Sequence, residues 1–360
     1  MAKLTSPEVN ISFVEKGASA IQRSEHGVVA LVLKDALTGG PFVVYSVAGI
    51  PAGLTETNKK FVQDALIGYQ VAPKKVIVYC MDSTAEKLEA EYTKMMKYFE
   101  LTKFDWMAIP TVETDAKAET IATWIKSLRT NEKLMRKAVL PNSASDSEAI
   151  VNVTSSMYTA DGTEITPEEC CARVAGIICG TPMKISATYA PIREVADCTR
   201  LNKEDADKAV GNGELVFVWD GEKVKLNRAV NSFTTTTDTK GDSFKKIKIV
   251  EIMDMIYEDI KSTAEDSYIG KYSNSYDNKC LLITAINAYF NELIRSGLLA
   301  SGTCEIDIDA QRNYLQGKGE NVEEMSDQDV KEANTDSHVF LAAHISIIDA
   351  IEDIQLEIDI

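Results

Sequence analysis

His26, His338 and His344 are the only three histidines in the 360 residues of this chain. Imidazole titrates near neutrality and can serve as a general base or a metal ligand. For His26 to act in a triad, a serine on a strand-to-helix elbow is needed, and no GxSxG occurs. It stands just before an apolar run and reads as a turn residue. His338 and His344 flank an apolar stretch, and no motif supplies the further ligand that a metal site requires. The adjacent pair Cys170 and Cys171 invites a redox reading, but neighbours on a helix point about 100° apart. No motif near them lowers a thiol pKa, so core packing explains the pair better. Gly270–Lys271 lacks both the upstream glycine and the following Ser or Thr of a phosphate loop, and no GxGxxG follows a strand. The acidic runs EIDID and EDIQLEIDI offer carboxylates to calcium, but these alternate along strands without EF-hand spacing. No catalytic residue, cofactor or metal ligand is expected.

The composition points the same way. Apolar and charged fractions of 45% and 26% are those of an ordinary globular protein, long enough for two or three domains. A net charge of −17 argues against nucleic acid and against an anionic membrane surface, both of which select basic stripes. The seven cysteines, Cys80, Cys170, Cys171, Cys179, Cys198, Cys280 and Cys304, are odd in number and form no CxxC. Small buried thiols in a reducing cytoplasm are therefore expected. MAKLTSPEVN lacks the apolar core of a signal peptide, and no run approaches the roughly 20 apolar residues of a membrane span.

The elements follow from periodicity. VVALVL (28–33), FVVYSV (42–47), VIVYCM (76–81), WMAIP (106–110) and KAVLP (137–141) read as strands. Helices are expected over 58–69, 85–99 and 116–129. Strands and helices that alternate in this way imply an α/β layer with a largely parallel sheet. A further helix over 167–179 is closed by Gly180 and Pro182, and 185–200 reads as extended or irregular. LVFVW (215–219) and KVKLNRAV (223–230) form a hairpin about Asp220–Gly221. The threonine run 234–237 reads as a polar linker or mobile loop. Beyond it, Ile249, Ile252, Met253, Ile256 and Ile260 form one helical stripe, with Glu251, Asp254, Glu258 and Asp259 outside it. A second helix covers 278–296, CEIDID (304–309) alternates as a strand, and 311–334 is polar and acidic. The fold class expected is α/β and α+β: a strand–helix alternating central domain, a C-terminal α+β assembly domain and extended terminal strand arms. The divisions are 1–25 (arm), 26–233 (α/β), 234–242 (linker), 243–348 (α+β) and 349–360 (arm).

The two ends carry the sharpest signal. Ile354, Leu356, Ile358 and Ile360 alternate with Gln355, Glu357 and Asp359, the period of a strand with one apolar face. Val9, Ile11 and Phe13 alternate in the same way near the other end, followed by a hinge-like Gly17, Ala18 and Ser19. On residues alone two fates stay open: an ordinary strand folded back in its own subunit, or a strand donated to another subunit's sheet. Asp349, Glu352, Asp353, Glu357 and Asp359 discourage the arm from pairing with copies of itself.

Many segments in order give the chain a resemblance along its whole length. They are PEVNISFVEK (7–16), HGVVALVLKD (26–35), FDWMAIP (104–110), ATWIKSLR (122–129), CCARVAGIICGTP (170–182), SATYAPI (186–192) and VNSFTTTT (230–237). They continue with SFKKIKIVEIMDMIYEDI (243–260), YIGKYSNSYDNKCLL (268–282), DIDAQRNYL (307–315) and AIEDIQLEIDI (350–360). In these the chain resembles the contractile tail sheath proteins of phages and phage-like particles, especially the short sheath of Gram-positive defective prophages and contractile bacteriocins. The resemblance implies a structural subunit that polymerises as stacked six-membered rings around a tail tube. Its partners would be itself, the tube, the baseplate and the tail terminator, with no nucleic acid and no membrane insertion. Assembly would take place in the bacterial cytoplasm, before release in a phage tail or bacteriocin particle. It also implies arm strands at Val9–Phe13 and 354–360, received by 243–348, and contraction by rigid-body rearrangement with hinges at 17–19 and just before Ile354. The competing readings are a cytosolic α/β enzyme with a cofactor at the strand ends, and another tail protein such as a tube or baseplate subunit.

Overall fold

A computed structural model describes residues 20–22, 26–37, 39–83 and 88–359. These divide into two compact units. The larger takes in the described residues of Arg23–Glu258 and Ile347–Ile360, and the smaller takes in Asp259–Ser346 with residues 20–22. The division falls inside a helix, some twenty residues beyond the threonine run. That run is not loose: the Asp146 carboxylate accepts from the backbone N–H groups of Thr234 (2.7 Å) and Thr235 (3.0 Å).

The larger unit is built on apolar runs long enough to be buried on both faces. The strands β1 (Val28–Asp35), β2 (Gly39–Val44), β3 (Lys75–Asp82), β4 (Trp106–Ala108), β5 (Lys137–Pro141) and β6 (Ile150–Val153) alternate with three helices. These are α1 (Glu56–Ile67), α2 (Leu88–Glu100) and α3 (Ala118–Thr130). Then come β7 (Met157–Tyr158), β8 (Glu164–Ile165), α4 (Pro167–Cys179), β9 (Pro191–Ile192), β10 (Asp197–Cys198) and α5 (Lys203–Gly211). β11 (Glu214–Leu215), β12 (Phe217–Trp219) and β13 (Val224–Leu226) complete the strands of this unit. Among the described residues the main sheet has the order β11-β6-β5-β4-β1-β3-β2. All its pairings are parallel except that of the edge strand β2, which is antiparallel to β3.

Both faces are covered, which is why these strands read as continuous rather than alternating apolar runs. On one side Phe61, Val62 and Ala65 of α1 pack with Cys171, Val174 and Ile178 of α4. On the other, Tyr92, Met95 and Phe99 of α2 pack with Ile121, Ile125 and Leu128 of α3. α1 and α4 touch at Gly176, where a Cβ would lie 2.2 Å from the Ala65 carbonyl oxygen, so only glycine permits that approach. The expected hairpin is present as β12–β13, with a four-residue connection rather than two. Asp220 sets its length by accepting from the N–H groups of Glu222 and Lys223, both at 2.9 Å.

The smaller unit holds α7 (Tyr276–Arg295), β14 (Leu299–Ile306), α8 (Ile308–Gly317), α9 (Asp327–Glu332) and most of β15 (Leu341–Ile347). The polar stretch 311–334 thus contains most of α8 and all of α9. They are capped by Asp307 and Ser326 and share a small cluster of Leu315, Val322 and Val330.

α6 (Ile247–Thr263) buries part of its polar face as well as its apolar stripe. Ile249, Ile252 and Ile256 are buried as the stripe predicts, but so are Asp254 and Asp259. In the larger unit the reason is a set of cations from the sheet layer. The fully buried Lys137 Nζ lies 2.8 Å from both Glu251 and Asp254, and 5.4 Å from the Trp106 ring centre. Trp106 Nε1 donates to Glu251 (3.0 Å), and Arg129 grips both Asp254 oxygens at 2.9 and 2.5 Å. In the smaller unit the Tyr289 hydroxyl donates to Asp259 at 2.7 Å. Burial opposes the charge on Asp254, but Lys137 and Arg129 outweigh it and hold its carboxyl below the usual range. Asp254 therefore stabilises the fold above about pH 4, its unfolded titration range, and less as pH falls through its lower folded value. Asp254→Asn should cost about 3–5 kcal/mol at pH 7 by leaving buried cations under-compensated. Urea unfolding should show that loss, with a smaller difference from wild type at pH 3 than at pH 7.

Candidate assembly interface

Residues 348–359 belong to no helix or strand. Over 354–359 the expected strand is therefore not formed in the single chain. Alternation decides which side chains would share a face, but a strand also needs an edge to bond to. Ile351, Ile354, Leu356 and Ile358 are 86%, 81%, 77% and 73% exposed, far from the usual state of large aliphatic side chains. Ile360 and the three N-terminal arm residues Val9, Ile11 and Phe13 lie outside the described residues, as do 17–19.

The segment just before the apolar stripe is held down rather than hinge-like. The Ser186 and Thr188 hydroxyls donate to one oxygen of the buried Glu352, at 3.0 and 2.6 Å. Arg228 pairs with Asp353 at 2.5 Å, and Lys246 pairs with Asp349 and lies 3.5 Å from Glu352. Lys248 Nζ donates to the Ile348 carbonyl at 2.9 Å. Burial works against the charge on Lys246, but Asp349 and Glu352 raise its pKa above the ordinary lysine value. Periodicity gave no warning of these five residues, which come from three separate stretches of chain.

In the smaller unit β14 and β15 form a sheet of two strands, so among the described residues each has one edge without a partner strand. Two strands alone make a marginal sheet. β15 is half-buried at best along its whole length, and Ile345 is 37% exposed.

The other candidates resolve differently. His338 stacks on Phe340 at 6.2 Å, while His344 is an exposed residue of β15. His26 precedes β1, with Nδ1 3.7 Å from Asp105, whose other oxygen accepts from Val28 N–H. Among the described residues no group of three or more His, Cys, Asp or Glu could hold a metal. Cys170 and Cys171 are buried, and burial raises both thiol pKa values.

An α/β enzyme would bind its ligand where the strand order reverses, here at the carboxyl ends of β1 and β4. A crevice of about 450 Å³ lies there, lined by Lys34, Thr55, Asn58, Thr111, Thr166 and Glu168. The chain's own carboxylates occupy the helix N-termini that face it. Asp35 accepts from the N–H groups of Leu37 and Thr55 and from the Asn58 amide, and Glu169 closes the capping box of α4. Burial opposes the Asp35 charge, yet these hydrogen bonds bring its pKa down to about 2. The stability that Asp35 contributes is complete above about pH 4 and lost as pH falls towards 2. Asp35→Asn should lower the melting temperature at pH 7 and flatten its fall between pH 4 and pH 2, as calorimetry would show.

The comparisons with known proteins decide the family. The family model for the phage tail sheath protein central domain matches residues 85–232, and that for the phage tail sheath C-terminal domain matches 239–360. The tail sheath protein of Clostridium phage phiCD119 is 38% identical over 356 residues, covering 97% of this chain and 98% of that protein. The chain belongs to the phage tail sheath family. The phage-like element PBSX protein XkdK of Bacillus subtilis is 33% identical over 176 residues, 48% of this chain and 38% of that protein. Among solved structures, the sheath tail protein of Desulfitobacterium hafniense shares the fold at a TM-score of 0.68 and 19% identity, covering 83% of this chain and 94% of that one. The PVC sheath of an extracellular contractile injection system, in its contracted state, gives 0.65 and 12%, with 100% and 98% covered. The chain is a structural subunit of a contractile tail sheath, and its mixed α/β fold is that of the sheath proteins.

Proposed function

We propose that the terminal arms link copies of this sheath subunit into a polymer by strand donation. Residues 354–360 would add a strand to the open edge of a neighbour's β14–β15 sheet, and 9–13 would do the same from the other end. The observation that carries this is the pairing of opposites within one chain: uncovered aliphatic side chains at Ile354, Leu356 and Ile358, and a two-stranded sheet with free edges. Burying the side chains of Ile354, Leu356, Ile358 and Ile360 yields roughly 6–12 kcal/mol, and six ladder hydrogen bonds add about 0.5–1.5 kcal/mol apiece. Ordering seven residues takes back about 7–14 kcal/mol. A single arm therefore binds modestly, and a lattice of arms holds by multivalency.

The assembly we infer is one of stacked six-membered rings around a tail tube, joined at its ends to a baseplate and a terminator. Contraction is then a rigid-body rearrangement of subunits with the arms still paired. The resemblance to a sheath seen in a contracted state supports this reading, as does a fold shared with a chain from the anti-feeding prophage baseplate. The subunit acts as a structural protein rather than an enzyme, assembled inside the bacterium and released with the particle.

A chain ending at Asp353 tests the arm. It should remain folded, with an unchanged far-ultraviolet spectrum, and fail to form tubes in negative-stain electron microscopy. Tubes of normal length from that chain would refute strand donation by the C-terminus.

A further inference from the structure

The geometry points to a clamp that anchors residues 349–353 on the larger unit, so that the arm begins to move only at Ile354. Hinges placed just upstream of Ile354 would require that stretch to be free. Three of its five side chains are instead engaged, and all three are carboxylates: Asp349, Glu352 and Asp353. The seat is assembled from segments around 186–188, 228 and 246–248, which meet only in the folded protein.

Its construction is specific. Tyr189 sits at φ 58°, a backbone region that a non-glycine residue rarely adopts, and its N–H is fixed on the Leu226 carbonyl at 2.9 Å. The neighbouring Thr188 hydroxyl accepts from Ala229 N–H at 3.0 Å and turns its own proton to Glu352. Glu352 is 6% exposed at its side chain, and its second oxygen has no hydrogen-bond partner. That oxygen lies 3.5 Å from Lys246 and 3.9 Å from Arg228, so two cations face it without a direct bond. A carboxylate this deep is tolerated only with such compensation. The aliphatic side chains on either side of Glu352 are exposed, Ile351 at 86% and Ile354 at 81%, so it is the carboxylates and not apolar packing that hold this stretch.

The consequence rests on the arm reading proposed above. With 349–353 clamped, the strand proposed over 354–360 begins at the seat and extends roughly 23 Å from it. A receiving edge must lie within that distance of the seat in every state of the polymer.

The clamp itself can be tested without assembly. The full-length soluble protein is treated with a protease that cuts after glutamate, and the products are followed by intact mass. Cleavage after Glu357 should be rapid, and cleavage after Glu352 slower by about tenfold or more, because a clamped peptide must open before it is cut. Arg228→Ala and Lys246→Ala, each checked for an unchanged melting transition, should bring the Glu352 rate up towards that of Glu357. Equal rates at the two sites in the wild-type protein would overturn the clamp, as would unchanged protection in both variants. Because the chain ending at Asp353 keeps the clamp and lacks the arm, its behaviour in assembly separates failure of the arm reading from failure of this one.

Discussion

The Lys137 ammonium is buried between Glu251 and Asp254, beneath the ring of Trp106, and the larger unit is organised around it. Such a charge is stable away from water only if its partners are held in place, and those partners are on α6. Arg129 from α3 shares Asp254, and Lys240 shares Glu148 with Arg129. Strands β4 and β5, helix α3 and the first part of α6 are thereby fixed to one another by directional contacts. Apolar packing alone would allow α6 to slide or turn, whereas paired charges set its register.

The enzyme-like features of the fold are used for the fold itself. A parallel sheet with helices on both faces creates a crevice at the reversal of strand order, and helix N-termini bring positive potential to it. In this chain Asp35 and Glu169 supply the negative charge from within. The architecture that elsewhere holds a phosphate or a nucleophile here ties β1 to the start of α1. Asp35 closes β1 and caps the start of α1.

Much of the central layer was legible because its signals are local. The apolar runs at 76–81 and 137–141 and the Pro and Gly bracketing α4 each specify an element without reference to the rest. β6, with only four residues, and the short polar helices α5, α8 and α9 lack a stripe long enough to register. The charges of α6 are a different case: the pattern sets them off the apolar stripe but does not say whether water or a lysine stands opposite. The candidate site divides along the same line. The apolar alternation of 354–360 was visible, while Ser186, Thr188, Arg228 and Lys246 become a seat only when distant segments converge.

Five of the seven thiols bear on how such a protein ages. Cys80, Cys170, Cys171, Cys198 and Cys304 are buried, and burial raises the pKa of each, so none of these sulfurs is an exposed thiolate ready to meet oxygen or another chain. At these five positions packed copies are poorly placed to be joined by disulfides, so the contacts they make there stay ones that can be remade.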